Sequence, residues 1–227
     1  NIRSMEGETQ VRQLLTGLRE IRQDSRFKTK VRFLLAGSIG LQNVVEGMGM
    51  TKHINDLKEI KMRSFTSEEA ESYLHCLFAA KAISASPGVI EHIKQRINHL
   101  VPFYLNLLVD ELTTGEICND HIDHAFETML GHRNNFEHWH SRLKPQALKP
   151  EEYRFCKTLL NTASDPDKSH LNKSEITNIA VQHEVIDELP RLLNILVHDG
   201  YLVKDESMNY RFISPVLRAW WWREIAN

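Results

Sequence analysis

LPRLLNILVHDGYLVKDESMNYRFISP, residues 189–215, sets a dense apolar helix pattern directly against two short alternating runs. Leu189, Leu192, Leu193, Leu196 and Val197 recur at spacings of three and four, the period of an α-helix. Gly200 follows where a helix commonly ends in a left-handed residue. YLVK and NYRFI, 201–204 and 209–213, then alternate around the polar turn DESM, as the strands of a hairpin do. Pro190 is no obstacle. With Asp187 as the cap of a helix over 187–198, the proline falls in the first turn, where a missing N–H costs little.

Two further helices precede this stretch, over 151–163 and 173–182, separated by the loop SDPDKSH. Three helices and a hairpin in that order are the winged-helix arrangement, a helix-turn-helix variant. The third helix and its ends carry Glu184, Asp187, Glu188 and Asp199 against Arg191 alone. Most DNA affinity comes from phosphate contacts, so DNA is the less favoured partner, and a packing or protein-contact role is preferred. The final helix contains WWW. Successive helical residues point about 100° apart, so Trp220, Trp221 and Trp222 cannot share one buried side. At least one is expected to meet another domain or a partner.

KPQALKPEE, 144–152, is a polar, proline-bearing connection and the expected domain boundary. Before it, the pattern predicts helices over 67–83, 88–98, 102–113, 120–131 and 134–142, with no strand signal between 66 and 149. TSEE, 66–69, has the capping-box spacing of Thr66 and Glu69. The opening third reads differently. Val11, Leu14, Leu15, Leu18 and Ile21 predict an amphipathic helix over 7–24. VRFLLAGSIGLQNV, 31–44, predicts a buried strand over 30–36 running through Gly37 and Ser38 into a helix over about 40–47. EIKMRSF, 59–65, predicts a half-buried strand. The expected fold is mostly α: a small α/β portion over 1–65, a helical bundle over 66–149 and a winged helix over 150–227.

Of 227 residues, 41% are hydrophobic and 26% charged, ordinary values for a globular protein with a real core. No run approaches the length of a membrane span and no apolar signal segment opens the chain, so no membrane partner is expected. Cys76, Cys118 and Cys156 are odd in number and far apart, which suits unbridged thiols in a reducing cytoplasm. The formal charge divides as +5, −4 and −3 over 1–65, 66–149 and 150–227. An anionic ligand would be most welcome in the first segment, although a solvated basic face is the plainer reading. Arg19, Arg22, Arg32 and Arg63 could face a phosphate or a partner, and none is singled out. His121, His124, His132, His138 and His140 are irregularly spaced with no cysteine close by, and no metal site is expected.

Four stretches together resemble a known family. VRFLLAGSIGL is similar to the sensor-1 strand of prokaryotic AAA+/STAND-type P-loop ATPases of the archaeal-ATPase-like group. EIKMRSFTSEEAESYL resembles their next strand and the start of their helical lid. VPFYLNLLVDEL resembles the lid helix that follows a Gly-x-Pro motif, here with His99 and Leu100 where glycine is usual. LVHDGYLVKDESMNYRFISPVLRAWWWRE resembles the wing and last helix of the domain beyond the lid. The order of the four carries the likeness.

That resemblance implies a remnant of a P-loop ATPase sheet, a helical lid and a winged helix, in a chain using ATP/ADP with Mg. It implies that Ser38 hydrogen-bonds near the γ-phosphate or attacking water, and that the turn at Pro102 and Phe103 lies against the adenine or ribose. On the residues alone, Ser38 is equally a helix cap and Pro102 a first-turn proline. G-x-x-x-x-G-K-[ST] and a hydrophobic run ending in Asp-Glu do not occur. In the family both lie upstream, so the chain reads as the C-terminal part of such an ATPase, unable to hydrolyse ATP by these residues alone. Two other readings stand beside it: a winged-helix transcriptional regulator without catalysis, and a protein-interaction module.

Overall fold

The computed structural model describes residues 5–35, 45, 48–58, 60, 62–143 and 148–227. Among them the chain is mostly helical, 60% helix and 6% strand, with two small sheets. Contacts divide it into two units, Asn1–Lys61 and Met62–Asn227.

In the first unit the expected amphipathic helix forms as α1 (Met5–Gln23). Leu15 is buried with Val45 and Met50, and Val11, Met48 and Ile54 pack around them. Arg22 fastens this small cluster. Its guanidinium forks onto Asp56 at 2.9 and 3.0 Å and donates to the carbonyl of His53 at 2.6 Å. Beyond α1 the Asp24 carboxylate accepts the Arg26 N–H at 2.8 Å, and the backbone continues in turns from Asp24 to Val31.

The two strands expected in this region do not form among the described residues. Residues 31–35 are irregular, as are 60 and 62–65, and Leu34, Ile60 and Met62 are 82%, 68% and 91% exposed. A strand is stable only with a neighbour to take its backbone hydrogen bonds, and no described residue offers one here. Only Phe65 finds such a partner, donating its N–H to the Leu100 carbonyl at 2.8 Å. The helix expected over 40–47 lies outside the described residues apart from Val45.

The second unit opens on the predicted capping box. Thr66 accepts the Glu69 N–H, and the Glu69 carboxylate accepts the Thr66 N–H at 2.8 Å while also bridging Arg63. Helix α2 (Ser67–Ala80) follows. Then come β1 (Ile83–Ala85), α3 (Val89–Ile97), α4 (Pro102–Asp110), β2 (Gly115–Ile117), α5 (Asn119–Gly131) and α6 (Arg133–Arg142). The five helices match the predicted periodicities. The strands correct the expectation of none: β1 and β2 pair in parallel, Ile83 opposite Gly115 and Ala85 opposite Ile117. Three residues are too few to show an alternating pattern. Gly115 has φ +106, open to glycine and strained for any side chain.

Helices α7 (Pro150–Ser164), α8 (Lys173–Gln182) and α9 (Leu189–His198) lead into the antiparallel pair β3 (Leu202–Lys204) and β4 (Tyr210–Phe212). Asn172 and Glu175 form a second capping box before α8. Because α9 starts at Leu189, Glu188 rather than Asp187 takes its cap position. Pro190 sits in the first turn, and Gly200 at φ +74 ends the helix as expected. Ser214, fully buried, caps the last helix, α10 (Pro215–Trp221), and one wide turn over Trp222–Ala226 completes it.

One apolar core runs through the second unit, from Leu74, Ile93 and Leu105 through Phe136 and Phe155 to Leu192, Leu196 and Phe212. Aromatic rings cross its middle. Tyr104 of α4 stacks on Phe136 of α6, and Phe136 stacks on Trp220 at 5.6 Å. Trp221, beside it, meets Tyr201 edge-on at 6.0 Å and donates its indole N–H to Asn161 of α7 at 2.9 Å.

Replacing Trp221 by Ala removes a fully buried indole, and a loss of about 3–5 kcal/mol is expected from denaturant unfolding. Cys156 of α7 reports the same event. Burial, with Glu152 nearby, pushes its thiol up to about 12, so it should resist a disulfide reagent while exposed Cys76 reacts at once. In Trp221→Ala the Cys156 rate should rise with the population of the opened state. Equal Cys156 rates in the two proteins would show that α10 does not hold α7. A pH titration tests the first cap. Arg63 and the Thr66 N–H hold the Glu69 carboxyl down at about 2, against an ordinary value of 4.5. Its contribution should be complete above the ordinary value and be lost progressively as pH falls from there through about 2, followed by the side-chain carboxyl resonance.

Candidate functional site

Of the three residues singled out for nucleotide contact, Ser38 lies outside the described residues. Pro102 and Phe103 open α4, and the path into them is tight. Asn98 takes φ +53 at the end of α3, His99 N–H reaches back to the Ile97 carbonyl at 2.5 Å, and Val101 N–H to the His99 carbonyl at 2.7 Å. Val101 is extended, and Pro102 begins the helix where its missing N–H is harmless.

This turn projects the next side chain outward. Phe103 is 43% exposed, while its neighbour Tyr104 is buried. The Phe103 ring meets His138 edge-on at 6.4 Å and Tyr104 at 5.6 Å, so it is held from two sides with part of its surface open. Such a ring can stack a planar group. Phe65 and Tyr73 pack edge-on at 5.3 Å, and the Tyr73 hydroxyl donates to Asn106 of α4 at 2.9 Å. The helix beneath the turn is thereby fixed.

His99 is itself a feature of the turn. Burial lowers its pKa, and its Nδ1 is buried without a hydrogen-bond partner. With Asn98 it lines a recess of about 270 Å³ closed by Val203, Arg211, Ile213 and Pro215. The turn at α4 and the β3–β4 hairpin therefore border one space.

The four arginines held open as phosphate or partner contacts are all engaged within the chain. Arg22 is on Asp56 and His53, Arg19 donates to Asn55 at 3.2 Å, Arg32 to the Lys28 carbonyl at 2.8 Å, and Arg63 bridges Glu69. The histidines go to separate tasks. His121 Nδ1 accepts the Cys118 N–H, His132 approaches Glu111, His138 lies against Phe103 and Trp139, and His140 lies edge-on to Trp221. Among the described residues no three His, Cys, Asp or Glu side chains converge on a point.

The tryptophan expectation narrows to a single residue. Trp220 and Trp221 are buried in the chain's own core, because α10 packs against α3, α5, α7 and β4, with Phe136 of α6 stacked on Trp220 and Asn161 of α7 and Phe212 of β4 against Trp221. Neither is available to a partner. Only Trp222 stays half-exposed.

On α9 the lone arginine is occupied as well. Arg191 bridges Glu188 at 2.8 Å and reaches Glu152, a buried carboxylate of α7 that also accepts the Lys149 N–H. Between α8, α9 and the hairpin lies an open groove of about 740 Å³ with a largely apolar lining. The sequence reading missed it, although one signal was there. Leu189, Leu193 and Val197 run along α9 beside the buried pair Leu192 and Leu196, widening its apolar stripe beyond the fully buried residues.

Among the described residues no helix is long and apolar enough to cross a membrane. Set against protein-family models, curated proteins and solved structures, the chain matches none.

Proposed function

We propose that the chain is the lid and winged-helix part of a P-loop ATPase of the AAA+/STAND kind, transmitting nucleotide state into movement. The observation that carries this reading is the Phe103 turn on a rigid body. A half-exposed ring follows a first-turn proline, and the helix behind it is tied through Phe136 and Trp220 into the three-helix and hairpin region. On this reading Phe103 stacks the base, Pro102 sets the angle of the ring, and Ser38 approaches the phosphates. ATP with Mg supplies the free energy of the motion. The described residues fit the base end of such a ligand and hold no carboxylate cluster for the metal.

A ligand drives such a motion only through its different affinity for the open and closed arrangements. Because residues 62–227 share one core, the lid and the hairpin region would move together. The reading of a DNA-binding regulator draws less support, because Arg191, the one arginine or lysine on α9, is held by Glu188 and Glu152.

The test is nucleotide binding by the full-length gene product, followed with a fluorescent ATP analogue. Phe103→Ala should weaken binding by about 0.5–1.5 kcal/mol, roughly 2- to 12-fold in Kd, the range for an aromatic contact. Absence of ATP and ADP binding in the unsubstituted protein would overturn the proposal. Binding unaffected by Phe103→Ala would remove the lid turn from the site.

A further inference from the structure

The groove between α8, α9 and the β3–β4 hairpin has a definite chemical character. Its floor is apolar, with Ile176 of α8 and Leu193 and Val197 of α9, and Met208 of the hairpin turn stands at its lip. Met208 is 51% exposed at φ +66, a backbone conformation in which glycine or asparagine is cheaper. A flexible thioether held over an apolar floor adapts to varied side chains. Lys173 and Lys204 are at the rim, and neither makes an ion pair among the described residues. No carboxylate lines the groove.

We infer that this groove docks a short amphipathic helix of a partner protein, apolar on the face turned inward and acidic at its edges. Three features select this occupant. The apolar stripe from Leu189 to Val197 runs about 12 Å along α9, the length of two helical turns, and side chains at i, i+3, i+4 and i+7 of a partner helix follow such a stripe. The lining carries Lys173 and Lys204 and includes no carboxylate, so acidic flanks are attracted and basic ones repelled. The apolar floor is what separates a peptide from a nucleic acid. Duplex DNA would lay a charged backbone over Leu193 and Val197. The proposal is independent of nucleotide binding.

The probe is a fluorescent synthetic peptide with leucine at i, i+3, i+4 and i+7 and glutamate along both flanks, titrated with the full chain and read by anisotropy. Two control peptides carry lysine for the glutamates or serine for the leucines, and a duplex DNA is titrated in parallel across a salt series. Saturable binding of the acidic peptide is expected, roughly tenfold or more weaker for each control. Leu193→Asp and the exposed Met208→Asp should each abolish it, with circular dichroism checking that the proteins remain folded. Met208 is outside the core, so its substitution stays informative if Leu193→Asp unfolds. Lys173→Glu with Lys204→Glu should weaken the acidic peptide and improve the lysine one. Absence of peptide binding would overturn the proposal, as would equal binding of the serine control. So would steeply salt-dependent DNA binding that follows the two lysines and ignores Leu193 and Met208, which would make this face a nucleic-acid surface.

Discussion

Adjacent indoles, Trp220 and Trp221, hold the second unit together by meeting different neighbours from one short helix. Trp220 continues the stack begun by Tyr104 and Phe136, while Trp221 turns toward Tyr201, Phe212 and Asn161. Two consecutive residues of a helix can both be buried only if the helix is covered on more than one side. That requirement is met by α3, α5, α7 and β4 around α10, together with the Phe136 ring of α6. The ends are locked by polar contacts: Tyr201 donates its hydroxyl to the Trp139 carbonyl at 2.5 Å, and Arg218 gathers the carbonyls of Asp165 and Lys168. The last residues of the chain thus organise elements more than a hundred positions earlier.

A mechanical consequence follows for residues 62–227. Rings in contact transmit displacement because a close-packed interior does not deform continuously. The turn at Asn98 to Phe103 and the hairpin border a common recess, and His99 and Arg211 both line it. Under the proposed nucleotide-linked reading, a change at the Phe103 turn reaches the hairpin through adjoining side chains, and no hinge at residues 144–152 is needed. The same continuity means that a deletion between the helical bundle and the hairpin region would expose core on both sides of the cut.

Most helices were legible from periodicity and caps, because both signals are local. Thr66 and Glu69 announced α2, and Gly200 the end of α9, from residues within one turn. What escaped was non-local. VRFLL and EIKMRSF have the composition of strands, yet a strand depends on a neighbour that composition cannot provide, and both segments stay irregular where described. In the opposite sense, β1 and β2 carry no pattern of their own and exist because α3 and α4 return the chain alongside itself. The candidate site divides in the same manner. Pro102 marked a helix start locally, the exposure of Phe103 depends on His138 thirty-five positions away, and Ser38 lies outside the described residues.

Helix α9 shows what composition alone leaves out. Counting charges marked it as acidic and therefore unsuited to DNA, and in the fold the accounting is sharper. Arg191 is drawn toward Glu152, a carboxylate buried at the start of α7, where an unpaired charge would be costly. An arginine recruited to neutralise a buried glutamate is lost to any external phosphate. Arg191 still lines the groove, 46% exposed, beside Leu189, Leu193 and Val197 of α9 and the cations of α8 and β3. The same ion pair that anchors α9 to α7 therefore borders the groove and engages the one arginine in its lining.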